Sequence, residues 1–163
     1  MIVEPTTGPL LVRDGDGEAL WFLGNLVTLK VTADRTTDRI SLMEFLNPAG
    51  FAPPLHRHRT EDEVFYLLDG EARFFCGDEV LDAGPGDTVL LPRGIPHTFL
   101  VGPDAPMRTL QITAPGGFEG FAREAGEPAA ARELPAPGPL DPAELARIAD
   151  TYGHDILGPP PGH

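Results

Sequence analysis

The chain has 163 residues, enough for one domain that buries about two thirds of its unfolded surface, with a tail appended. Its net charge of −13, with Lys30 as the only lysine, leaves no basic stripe to meet a phosphate backbone or an anionic bilayer, which excludes nucleic acid and membrane surfaces as partners. No apolar run reaches the roughly 18 residues of a spanning helix, MIVEPTTGPL lacks an export-signal pattern, and the single cysteine, Cys76, cannot close an intrachain disulfide; a cytoplasmic protein is expected.

From Leu10 to Thr113 short apolar or alternating runs follow one another: LLVR, GEALWFLG, LVTLKVTA, ISLMEFL, EVFYLLD, EARFFC, EVLDAG, DTVLLP, HTFLV and MRTLQIT. Turn residues separate them, among them Asp14-Gly15, Asn47-Pro48, Asp69-Gly70, Gly84-Pro85-Gly86 and Gly102-Pro103. With 19 Gly, 19 Pro and no helical pattern between the runs, the expectation is an all-β antiparallel sandwich or barrel over residues 1–113.

Residues 114–163 read differently, as an extension packed on the barrel. FEGFAREAG places Phe118, Phe121, Ala122 and Ala125 on one helical face and stops at Gly126. EPAAARELPAPGPL is an irregular Pro/Ala-rich connector. DPAELARIADTYG reads as a second helix, with Asp141 at the N-cap, Pro142 at N1, Glu144 completing a capping box and Gly153 past the end. The remaining GPPPGH is too short and proline-rich to pack by itself, and His154 and His163 are read as solvated tail residues.

The chemistry concentrates in HRHRTEDEVFYLLDG. Extended backbone puts His56 and His58 on one face, and alternation places Glu63 on the same side as Phe65 and Leu67. His97 opens HTFLV and shares its face with Phe99 and Val101. Three neutral imidazoles and one carboxylate suit a divalent first-row metal and leave coordination positions open, as a catalytic ion requires. Arg57 and Arg59, on the opposite face, read as surface charge, and Glu61 and Asp62 as loop carboxylates.

At fixed spacing the positions are Gly50, His56, His58, Glu63 and Gly70, then Gly86, Pro92, Gly94 and His97. In order, spacing and residue type these two segments, 50–70 and 86–101, resemble the two motifs of the cupin superfamily, and the likeness extends over roughly residues 26–113. One position departs: Val101 stands where the second motif commonly carries Asn. The resemblance implies a double-sheet jelly-roll barrel with short C-terminal helices, in which His56, His58, Glu63 and His97 ligate one Fe, Mn, Ni, Co, Cu or Zn ion.

It also implies three classes of function. The first is a quercetinase-like dioxygenase acting with dioxygen on a small aromatic or enol substrate, with Glu63 also taking a substrate proton. The others are a non-redox isomerase, lyase or polyketide cyclase, and a small-molecule binding module without catalysis. The presence of Glu63 argues against a thiol dioxygenase. The pocket is expected to be lined by Met43, Phe45, Phe51, Phe65, Phe74 and Phe99, with Gln111 as a polar contact. A homodimer is expected as well, because the apolar run LWFL gains from being covered.

Overall fold

Alternation decides the strands of the computed structural model, which describes residues 8–37 and 39–161. In β3 (Ser41–Asn47) residues Ser41, Met43, Phe45 and Asn47 are buried while their neighbours are only half-buried. β5 (Asp62–Asp69) turns Glu63, Phe65 and Leu67 inward, and β10 (Met107–Ala114) does the same with Met107, Thr109, Gln111 and Thr113. Side chains at period two thus give each sheet one inner face.

Two antiparallel sheets result, the jelly-roll arrangement expected. The larger joins β1 (Glu18–Phe22), β2 (Asn25–Val31), β3, β10, β5 and β8 (Thr88–Leu91), with the two-residue β11 (Glu127–Pro128) on the outer edge of β1. The smaller runs β12 (His154–Gly158), β4 (Leu55–His58), β9 (His97–Val101), β6 (Ala72–Cys76) and β7 (Glu79–Ala83). Between β5 and β6 the chain turns at Gly70, whose φ is +76°. A Cβ there would lie 2.5 Å from the Pro106 carbonyl oxygen, so the turn requires glycine on both counts.

Helix α1 (Phe118–Ala125) docks by an apolar face and by a buried acid. Glu119 accepts hydrogen bonds from Ser41 Oγ at 2.5 Å, Ala33 N at 2.7 Å and Gly117 N at 3.1 Å, so its desolvation is offset by three donors. Helix α2 (Pro142–Thr151) begins as expected, the Asp141 side chain accepting from Ala143 N and Glu144 N. Glu144 does not complete a capping box; its carboxylate binds Arg147 one turn on.

Three expectations need correction. LLVR forms no strand, and Leu10 and Leu11 are exposed, since no strand edge among the described residues pairs with them. The run LWFL is covered by its own chain: Leu20 and Phe22 are buried in the cluster that α1 joins, β11 pairs with β1, and Trp21 Nε1 donates to Glu133 O at 2.9 Å. The residues after Gly153 are not a loose tail. They form β12 on the free edge of β4, in the register His154↔His58, Asp155↔Arg57 and Ile156↔His56. His163 lies outside the described residues.

Candidate metal centre

Three strands bring the four predicted ligands together. His56 and His58 project from β4, His97 is the first residue of β9 and pairs with His56, and Glu63 reaches across from β5 of the other sheet. Gly94 donates its N–H to the His58 carbonyl at 2.8 Å, tying the loop before His97 to β4, and its φ of +81° favours glycine there. Arg93 grips Asp62 beside Glu63, from its backbone N at 2.9 Å and Nη2 at 2.7 Å. This ion pair holds the Asp62 carboxyl down at about 2, so Asp62 is not the plain loop carboxylate expected.

The ring centroids stand 5.2 Å apart for His56 and His58, 4.5 Å for His56 and His97, and 5.1 Å for His58 and His97. His56 Nδ1 lies 2.7 Å from Pro54 O and His97 Nδ1 2.9 Å from Ile95 O, contacts that place a proton on each Nδ1 and leave each Nε2 a lone pair. His97 Nε2 is 3.3 Å and His58 Nε2 3.9 Å from Glu63 Oε2; both nitrogens are buried without a hydrogen-bond partner. Gln111 donates to Glu63 Oε1, which leaves Oε2 facing the imidazoles.

The electrostatics act on these groups in different directions. Burial, followed by the neighbouring His97 and His58, lowers His56 to about 3, so it stays neutral. Burial resists ionisation of Glu63, but His58, His97 and His56 outweigh it and bring its carboxyl to about 2. For His58 burial also disfavours charge, yet Glu63 and Glu61 together raise its pKa. Orphaned buried nitrogens around an ionised carboxylate are the arrangement a divalent ion satisfies, so these four residues fit a metal.

Three of the ligands, His56, His58 and Glu63, open on a cavity whose wall includes seven of the chain's nine phenylalanines: Phe22, Phe45, Phe51, Phe65, Phe99, Phe118 and Phe121. Gln111 also lines it, as anticipated, whereas Met43 and Phe74 do not reach it. Both are fully buried in apolar clusters, their volume consumed by packing between strands. Val101 is core as well, and its N–H donates to Phe51 O at 2.9 Å, steadying the segment that carries Phe51.

Sequence reasoning missed Glu61 and His154. Both are buried; His154 Nε2 lies 2.5 Å from Glu61 Oε1, and the His154 ring stacks on His58 at 4.3 Å. Arg57 and Arg59 are likewise more than surface charge, since they bind Asp155 at 2.6 Å and Asp150 at 2.8 Å and fasten β12 and α2 to β4. The one available signal was the Gly153-His154-Asp155-Ile156-Leu157 sequence, too short to be read as a strand before its partner edge is known.

Comparison with known proteins agrees with this architecture. The Cupin domain family matches residues 42–113. An uncharacterised protein of Methanocaldococcus jannaschii is 31% identical over 75 residues, 46% of this chain and 60% of that protein. Quercetin 2,3-dioxygenase of Bacillus subtilis is 26% identical over 121 residues, 74% of this chain and 35% of the enzyme. The chain therefore spans less than two thirds of either relative. Among solved structures, KdgF from a Halomonas species superimposes with a TM-score of 0.59 at 15% identity, covering 69% of this chain and 98% of that one. The polyketide cyclase RemF of Streptomyces resistomycificus gives 0.57 at 24% identity, covering 78% and 90% respectively. These two likenesses concern the fold.

Proposed function

We propose that this chain, whose residues 42–113 match the Cupin domain family, is a metal-dependent enzyme of the cupin superfamily holding one divalent first-row ion through His56, His58, Glu63 and His97 and acting with dioxygen on a small aromatic or enol substrate. The observation that carries the metal is the pair of buried, partnerless nitrogens, His58 Nε2 and His97 Nε2, turned toward Glu63. The likeness to quercetin 2,3-dioxygenase over most of this chain supports the oxidative reading. When bound, such an ion supplies Lewis acidity toward an enol or phenol oxygen, and a redox-active one supplies electron transfer to dioxygen.

The protein's own residues bind, orient and move a proton. Gln111 fixes Glu63 through Oε1, leaving Oε2 to accept the proton of a substrate hydroxyl. Phenylalanine rings exclude water and offer faces to a planar substrate. Asn47 Oδ1, buried without a donor of its own on the same wall, accepts from a second substrate hydroxyl. The cavity is small, about 60 Å³ against the ~300–1,000 Å³ of common ligand pockets, so the substrate is compact or the wall opens to admit it.

The test is turnover of a panel of small enols and catechols by metal-loaded protein in air and under strict anaerobiosis, with an oxygen electrode. Oxygen uptake matching substrate loss supports the proposal. Turnover that survives without oxygen replaces it with isomerase, lyase or cyclase chemistry, and compounds bound but returned unchanged replace it with a binding role. Glu63→Gln is expected to keep its metal and lose about 10²–10⁴-fold in rate; undiminished turnover would remove Glu63 from proton transfer.

A further inference from the structure

His56 and His97 each direct Nδ1 at a backbone carbonyl, but the third imidazole is held differently. His58 Nδ1 faces a carboxylate, Glu61 Oε1, at 3.1 Å, bent away from an ideal hydrogen-bond line. Glu61 lies outside the nine motif positions, is only 4% exposed, and has His154 Nε2 on the same oxygen at 2.5 Å. His154 is 2% exposed and stacks on the His58 ring at 28° between planes. It comes from β12, directly opposite His58 in the ladder. The three groups form one buried chain, His154 to Glu61 to His58, ending where Nε2 of His58 meets the ligand cluster.

We propose that Glu61 and His154 are positioning residues of the metal centre: Glu61 keeps the His58 proton on Nδ1 and its Nε2 lone pair on the ion, while His154 braces Glu61 from the C-terminal strand. This inference rests on the metal reading above. A carboxylate behind an imidazole ligand fixes its tautomer and ring orientation and makes it a stronger donor, and loss of such a partner costs about 10–100-fold in metal affinity. His58 is thereby the most electron-rich of the three imidazoles, and the segment after α2 becomes part of the site. The same three residues could be taken for a second ion's ligands. The 2.5 Å approach of His154 to Glu61 is a hydrogen-bond distance, closer than two donor atoms sharing one ion stand, and favours the bracing role.

The experiment is Zn²⁺ titration of the full chain against a chromogenic chelator, with the visible spectrum of the Co²⁺-loaded protein as a second readout. Wild type, Glu61→Gln, His154→Phe and the double variant are compared. Glu61→Gln keeps the shape and removes the charge; His154→Phe keeps the ring stack and removes the nitrogen. Wild type is expected to take up one ion per chain, Glu61→Gln to bind 10–100-fold more weakly with shifted Co²⁺ bands, and His154→Phe to lose less. The double variant should lose no more than Glu61→Gln, because His154 acts through Glu61. Should His154→Phe fail to fold, as circular dichroism would show, the isosteric Glu61→Gln still decides. Variants binding within twofold of wild type, or two ions per wild-type chain, overturn the inference and leave the four-ligand site intact; a wild type that takes up no metal overturns both.

Discussion

Two apolar clusters fill one sandwich and differ in what closes them. In the first, Phe65, Leu67, Phe74, Val89, Leu91, Phe99, Val101 and Met107 come from strands of both sheets alone. In the second, Phe22, Met43 and Phe45 from the large sheet meet Phe118 and Phe121 of α1 and Leu145 and Ile148 of α2. The cavity borrows walls from both, and three of the four ligands, His56, His58 and Glu63, lie along it. The strand-only end is a foundation. The helix-closed end carries the walls that α1 and α2 can reshape, while β12 ties that end to the ligand strand β4.

The largest expected effect tests the foundation. Phe74→Ala, at a fully buried position behind the cavity wall, where the ring packs on Phe65 and Phe99, should cost about 3–5 kcal/mol of stability while the folded fraction still takes up metal, as urea titration and metal analysis would show. Loss of metal from protein that remains folded would mean that the two ends are not separable. Phe118→Ala removes the same side chain from the other cluster. Because that ring already borders the cavity, its loss should fall at the low end, about 3 kcal/mol, and should show mainly as a wider range of accepted substrates. An unchanged substrate range would move selection to another wall.

What the sequence disclosed divides along the same line. Nine strands, β1 to β3 and β5 to β10, and the four ligands follow from local information: alternation at period two, turn residues, and fixed spacing between His56, His58, Glu63 and His97, whereas of β4 only the shared face of its two histidines was legible. The helices were legible from an apolar stripe and, for α2, from Asp141 and Pro142. β12 was not, because HDILG has little pattern of its own and becomes a strand only when β4 offers an unpaired edge. Glu61 and His154 stayed hidden for the same reason, since a charged loop residue and a tail histidine are buried only through a contact spanning 93 positions. Met43 and Phe74 show the converse: period two identifies an inward face and cannot say whether that face meets a cavity or a neighbour.

A smaller effect addresses how the helix-closed end is held. Asp141→Ala removes the acceptor for two free N–H groups at the start of α2 and should cost about 1 kcal/mol, measured by thermal melting. A loss several times larger would make the first turn of α2 essential to the wall it supports.

The smallest expected effect concerns Arg57 and Asp155, which join β4 to β12 at 2.6 Å. Their geometry looks strong, with two guanidinium nitrogens on one carboxylate oxygen, but the Arg57 side chain is 40% exposed and water screens the pair. β12 has better anchors in its backbone ladder to β4 and in buried His154. A double-mutant cycle of Arg57→Ala with Asp155→Ala should therefore give a coupling of about 0–1 kcal/mol that shrinks with added salt. A coupling well above that range, insensitive to salt, would mean that the C-terminal strand is held by charge rather than by pairing and burial. The wall of the cavity would then loosen with ionic strength while the strand-only end stayed unmoved.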